Sequence, residues 1–482
     1  MHFRSLLTFL FRFALPIASA LMFSACDTGG GMESETDSKP ESIEARVEGM
    51  VTGVESDGPV KGADVAVLRT DEDEQLGQTT TNSSGSYKIS FTIPKEDAPD
   101  QLAIETGAEG FAAKTDTVDF DPSLTRDISL EALCISSGNG NEIQSVLDDG
   151  KDAMLCRGAE FDVEQKLDYT TDGQSIYTEG YPPEEERAVL NIGTSALTTV
   201  IKETDQTNVE LRSVVVDGNR PEYGYKDGEA LLIFGRDARG ATIKDVKAKN
   251  PRSWSTLHLP RWGGECRGIT VESSTFGPAG TADGRWADGI SLACEEAEVI
   301  GNRIVDATDG GIVIFGATGS TVRDNTIVAK NRTLLGGINM VDYGNGDSAI
   351  HSDYSGTTVE GNTIDAEGAL IKIALGMGPS VWNWCHHAGD RNRGGTVENN
   401  TLEGNHMGYG FVVDGVTNWT VTGNTDNSTH IGNPGTGCAG NKMPDPKGFL
   451  INRDRSEGTF QESFQDPGVP LHGGLQVSAG GS

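Results

Sequence analysis

A valine followed three residues later by a polar side chain recurs six times through the second half of this 482-residue chain. The units are Val271-Glu272-Ser273-Ser274, Val299-Ile300-Gly301-Asn302, Val322-Arg323-Asp324-Asn325, Val359-Glu360-Gly361-Asn362, Val397-Glu398-Asn399-Asn400 and Val421-Thr422-Gly423-Asn424. Their fourth residues lie 28, 23, 37, 38 and 24 positions apart. A basic step of about 23–28 residues, stretched in places by insertions, is the period of a solenoid, in which each repeat buries its apolar face only against its neighbours.

A second short apolar strand lies between these units, as in Gly289-Ile290-Ser291-Leu292, Gly311-Ile312-Val313-Ile314, Gly337-Ile338-Asn339-Met340, Ile371-Lys372-Ile373 and Gly410-Phe411-Val412-Val413. Two or three short strands per repeat with an asparagine at a turn make one coil of a parallel β-helix. Asn302, Asn325, Asn362, Asn400 and Asn424 would then stack as an internal ladder, each amide satisfied by the next. The pattern resembles the pectate-lyase-like superfamily of right-handed parallel β-helices over most of the span 133–460. The Leu-x-x-Leu-x-Leu frame of a leucine-rich repeat is missing, and a propeller blade needs a longer, four-strand unit. The expected fold is all-β: a right-handed parallel β-helix preceded by a small β-sandwich.

The sandwich is read from residues 44–132, where period-two segments such as Ala45–Val51, Ala63–Leu68 and Tyr87–Phe91 alternate with turn clusters. Pro59-Val60-Lys61-Gly62-Ala63-Asp64-Val65 and the Gly85-Ser86-Tyr87 turn resemble the carboxypeptidase regulatory-like domain, which implies an accessory or spacer module. Upstream, Arg4, the apolar run Ser5–Met22 and Phe23-Ser24-Ala25-Cys26 resemble a bacterial lipoprotein signal over residues 1–25, with Cys26 as the lipidated residue. No later stretch approaches the roughly 18–20 apolar residues that span a bilayer. The expectation is an extracytoplasmic protein held to the membrane by its N-terminal lipid. Residues 26–43 read as a polar tether, and 461–482 as a flexible tail. Beyond Cys26 six cysteines remain, an even number that argues for disulfides in an exported chain. Pairing by proximity gives Cys134–Cys156, Cys266–Cys294 and Cys385–Cys438, one of 15 connectivities.

Charge narrows the partners. The chain carries 72 acidic and 38 basic residues, a formal net charge of −34. Binding to nucleic acid by counterion release needs clustered cations, so a nucleic-acid partner is not expected. Repulsion at this level, with 16 lysines against 22 arginines, points to a salt-loving organism, because salt screens such a surface.

Stacked coils bring equivalent side chains ~4.8 Å apart, so residues distant in sequence form rows. Aligning the second strands on Leu257, Ile290, Ile312, Ile338, Ile371 and Phe411 as inward residues gives an outward row of His258, Ser291, Val313, Asn339, Lys372 and Val412, with Asn339 beside Lys372. Carboxylates cluster at the strand starts: Asp288, Asp306, Asp309 and, after the Asn339 strand, Asp342. Carboxylates on adjacent coils would sit ~5–10 Å apart, a range that serves glycoside hydrolysis. A turn is the commoner use of an Asp-Gly dipeptide. Five of the six tryptophans, Trp254, Trp262, Trp286, Trp382 and Trp384, share this window with Tyr343, and flat aromatic faces suit sugar rings. Arg261, with Arg252 and Arg285, and His386 of the insertion Gly376–Gly395 complete the candidate binding set. The Asp-Gly entries resemble those of polygalacturonases, but the Gly-His-Gly segment and the Arg-x-Lys pair of that family are missing. A lyase would use a base against an acidic sugar, with Ca²⁺ held by the aspartates as the one cofactor considered; among aspartates Lys372 stays protonated and suits a substrate carboxylate better. Three readings stay open: a polysaccharide-cleaving enzyme, by hydrolysis or by elimination; a non-catalytic glycan binder; and a structural rod.

Overall fold

The computed structural model describes residues 41–53, 58–71, 74–108, 111–131, 134–136, 138–340, 352–382, 391–433, 443–469 and 471. Two units follow one another along the chain.

The first is a small β-sandwich. One sheet pairs Ser42–Gly53 with Ser86–Pro94 antiparallel and with Ser123–Thr125 and Ile128–Leu130 in parallel. The other has the order Gln75–Thr80, Asp64–Arg69, Gln101–Gly107, Lys114–Asp119. Alternate residues face inward, and Val47 and Ile89 of one sheet share a core with Val65, Val67, Leu102 and Ile104 of the other. Burial of these alternating apolar positions is what the period-two sequence encodes.

The second unit is the right-handed parallel β-helix. Three long parallel sheets run its length, and each coil visits them in turn, as in Thr321–Arg323, Thr326–Val328 and Leu334–Met340. The corner between the first two sheets carries the asparagine column. Asn302 donates from its backbone N and its Nδ2 to Asn325 Oδ1 at 2.9 and 3.0 Å, and from Nδ2 to Val271 O at 2.8 Å. Asn325, Asn362 and Asn400 repeat the pattern with Asn362, Asn400 and Asn424. The column is closed by Ser274, whose N donates to Asn302 Oδ1 at 3.0 Å, and by Gln461, whose Oε1 accepts from Asn424 N at 3.0 Å. The residue before each member (Ser273, Gly301, Asp324, Gly361, Asn399, Gly423) has φ between 51° and 68°. Glycine, asparagine and aspartate tolerate this left-handed corner best, which is why the unit reads as it does.

Inside, apolar side chains stack in columns. Leu257, Ile290, Ile312, Ile338, Leu375, Phe411 and Phe449 are successive partners in the third sheet. Here the register differs from the sequence alignment. The strands Leu334–Met340 and Ile371–Met377 are two residues longer than Gly310–Ile314, and Ile371 pairs with Leu334. Leu375 therefore takes the column position expected of Ile371. Asn339 pairs with Gly376 and not with Lys372, which falls opposite Leu335.

The helix Gly140–Asp148 packs Ile143 and Leu147 into the core at the N-terminal end and is closed by an Asn139–Glu142 capping box. Phe449, Phe460 and Phe464 pack edge to face near the other end. Disulfides join Cys134 to Cys156 and Cys266 to Cys294, as proximity suggested. Cys385 and Cys438 lie outside the described residues, as do Cys26, residues 1–25 and most of the tether and tail. No helix among the described residues is long and apolar enough to cross a membrane.

Candidate functional site

Two of the predicted carboxylates meet on the outer face of the third sheet. Asp288 opens the strand Asp288–Leu292, and Asp309 immediately precedes the next coil's strand Gly310–Ile314. The register places Gly310 opposite Asp288, so Asp309 sits diagonally above it. Asp288 is 5% exposed. Its Oδ1 accepts from Gly310 N at 2.8 Å and its Oδ2 from Ser291 Oγ at 2.8 Å. Ser291 Oγ shares a further 2.8 Å bond with Ser255 Oγ on the preceding coil. Three neighbouring coils thus hold this carboxyl in one orientation.

Burial pushes the Asp309 carboxyl up to about 7. Burial, and then the charge of Asp309, push Asp288 well above the carboxylate range against the lowering effect of its two hydrogen bonds. Like charges this close in a poorly solvated site do not both ionise readily, and the two titrate as one unit. Two acids kept partly protonated near neutrality are the parts needed for general acid–base work.

Asn339 stands over the pair's far side. A Cβ built on Gly336 would lie 2.2 Å from Asn339 Oδ1, so only glycine admits this side chain. A Cβ on Gly310 would come within 3.1 Å of both Asn339 Nδ2 and Asp288 Oδ1, which locates the amide and the carboxyl on either side of that glycine. Asn339 is fully buried, and neither amide atom has a hydrogen-bond partner among the described residues. A buried amide without partners costs about 1–3 kcal/mol, a cost that a ligand's hydroxyl would relieve.

One coil to the other side, His258 pairs with Ser291. Its ring lies edge-on between Trp254 and Trp262, with centroids at 4.8 and 5.5 Å. Burial drops its pKa to about 3, so it is neutral across the physiological range. Trp254 and Trp262 are 36% and 51% exposed, and Lys202 lies over the Trp262 ring at 5.5 Å. The three rings form one aromatic block beside the carboxylates.

Other predicted residues have different duties. Asp306 accepts from Lys330 N, Asn331 N and Arg332 N at 2.8, 2.8 and 3.2 Å, and from Asn331 Nδ2 at 2.9 Å. These donors lower its pKa, and its carboxylate is occupied in holding the next coil's loop. Arg261 is committed to Glu295 at 2.6 Å and to Gly264 O at 3.2 Å. Arg252 spends its guanidinium on backbone carbonyls of residues 194, 195, 197, 223 and 224. Trp286 is half-buried against an apolar cluster that includes Val313 and Leu335. Lys372 is buried on the longer strand, where burial lowers its pKa, and the register separates it from Asn339. Trp382 lies in the short helix Pro379–Trp382. Asp342, Tyr343, Trp384 and His386 lie outside the described residues. Among the described residues no three His, Cys, Asp or Glu side chains gather as a metal-binding group. Ser255 was not singled out in the sequence; its signal is its alignment with Asp288 once the strands are in register.

No protein-family model matches the chain, and no curated protein matches it. Solved structures do. Hydroxyquinol 1,2-dioxygenase from Pseudomonas putida DLL-E4 is 16% identical with a TM-score of 0.16, over 19% of this chain and 58% of that one. A tailspike protein of E. coli bacteriophage HK620 is 11% identical with a TM-score of 0.40, over 65% of this chain and 62% of that one. The Dettilon tailspike protein is 15% identical with a TM-score of 0.35, over 66% of this chain and 64% of that one. The chain thus spans less than two thirds of the length of each of these solved proteins.

Proposed function

We propose that this protein is an extracytoplasmic carbohydrate-active enzyme that hydrolyses a polysaccharide on the outer face of its β-helix, tethered through a lipid on Cys26. The observation that carries this reading is the Asp288–Asp309 pair, whose carboxyls burial makes harder to ionise, beside the aromatic block of Trp254, His258 and Trp262. Burial and mutual repulsion raise both carboxyls, so one member carries a proton while the other is ionised. The protonated carboxyl gives its proton to the glycosidic oxygen as the bond to the anomeric carbon breaks. The ionised one assists the attack on that carbon. In the net reaction water's hydroxyl ends on the anomeric carbon and its proton on the leaving oxygen, so the pair returns to its starting state. Trp254 and Trp262 offer flat apolar faces for neighbouring sugars, and Asn339 offers a donor and an acceptor to a hydroxyl.

Hydrolysis fits better than elimination. The register puts Gly376, and not the buried Lys372, opposite Asn339, so Lys372 is not the cation beside Asn339 that would serve as the base or neutralise a sugar acid.

The test is incubation of the purified protein with homogalacturonan, alginate, laminarin and bacterial O-polysaccharides. New reducing ends without ultraviolet absorbance support the reading. Absorbance from an unsaturated product means a lyase, and binding without either signal means a glycan binder. Asp288→Asn and Asp309→Asn should abolish turnover while the circular dichroism spectrum is unchanged.

A further inference from the structure

The outer face of the third sheet changes character at the carboxylates. On the Ser255–Leu259 coil it carries the exposed aromatic block. From the Gly310–Ile314 strand onward the outward positions are closed, and apart from Asn339 and Lys372 the buried ones named here are apolar. Val313, Ile373, Val412 and Leu450 are 2%, 2%, 2% and 1% exposed. They form one cluster with Val381, from the short helix Pro379–Trp382, and with Leu471, from beyond the last strand. This second apolar core lies on the opposite side of the sheet wall from the main one: Ile338, Leu375 and Phe411 face inward while Ile373, Val412 and Leu450 pack outward.

A polysaccharide running along the helix axis over the aromatic block therefore meets Asp288 and Asp309 where open surface ends. Beyond the pair it would have to run over Val313, Ile373, Val412 and Leu450, which are already covered in a cluster that includes Val381 and Leu471.

We propose that the site is blind on its later-coil side, so that it takes one terminus of a glycan chain and releases short fragments from that end. All extended subsites then lie on the Trp254–Trp262 side of the pair. This rests on the pair being the reacting site.

The experiment uses the full-length protein and hexasaccharides of whichever panel glycan is turned over or bound. One set carries a bulky dextran on the reducing end and a matching set carries it on the non-reducing end. Binding is read from the quenching of Trp254 and Trp262 fluorescence. The expected result is asymmetry: one tagged form binds like the free sugar, and the other loses at least about tenfold in affinity. On the intact polymer, reducing ends should accumulate while viscosity falls slowly. Equal binding of both tagged forms, or a steep early loss of viscosity, overturns the blind-end proposal while leaving hydrolysis standing. No turnover and no binding across the panel overturns both.

Discussion

Replacing Asp309 with asparagine keeps the side chain's shape and removes its charge. Burial raises this carboxyl from 3.8 to about 7 in the folded protein. A folded-state pKa raised above the unfolded value means that the native protein retains a proton the unfolded chain has released. Stability then falls as pH rises from about 4 to about 7 and levels off above. A shift of about three units is roughly 4 kcal/mol at about 1.4 kcal/mol per unit. Asp309 is only half-buried at the surface, and solvent screening reduces this to about 2 kcal/mol. Asparagine is neutral at every pH, as the protonated acid is. Asp309→Asn should therefore match wild type near pH 4 and exceed its stability by about 2 kcal/mol near pH 8. It should also relieve the repulsion that raises Asp288. Urea denaturation followed by circular dichroism at about pH 4, 6 and 8 measures the difference. A gain that does not grow with pH, or a variant less stable than wild type near pH 8, would refute the assignment of this carboxyl as one buried against its own ionisation.

Turnover should rise with pH through about 7, as Asp309 ionises; a flat pH–rate profile would exclude the pair. Asn362→Ala removes the acceptor of Asn325 N and Nδ2 and a donor to Asn400, and should cost about 2–4 kcal/mol in thermal or urea unfolding. Asp306→Ala should free the loop at residues 330–332 and cost about 1–3 kcal/mol, seen as faster proteolysis there, with the pH optimum unmoved; a shifted optimum would return Asp306 to the reacting group. Trp262→Ala, at a half-exposed ring, should weaken glycan binding about tenfold and alter stability by less than about 0.5 kcal/mol.

The asparagine column was legible because two constraints fall on adjacent residues. The corner needs a left-handed residue, so Gly, Asp, Asn or Ser precedes each ladder member, and the buried amide needs its own kind above and below. The Cys266–Cys294 pair was reached by proximity in sequence alone; the structure shows it joining neighbouring coils, 28 residues apart. The register at Lys372 was not legible. In Ala369–Leu375 nearly every residue is apolar, so alignment on Ile371 or on Leu375 reads equally well; only the extra length of the neighbouring strand decides between them. The site was half legible. Asp288, Asp306 and Asp309 look alike as turn or strand-start aspartates. What separates them is their partners: Asp306 takes donors from the loop some 24–26 residues ahead, whereas Asp288, held by Gly310 N and Ser291, feels the charge of Asp309. Likewise Arg252 and Arg261 read as binding groups because guanidinium commitments to distant carbonyls leave no trace in sequence.

The segment from Asn302 to Asp324 opens with one acceptor amide and hands over to another at Asn325. A tandem copy of it would present the same polar faces above and below as the original, leaving nothing unpaired at either junction. Ser274 and Gln461 need exist only once, however many turns stand between them. Growth or shrinkage by whole turns is thus nearly free for this architecture, while its two terminators are the parts that cannot be dispensed with.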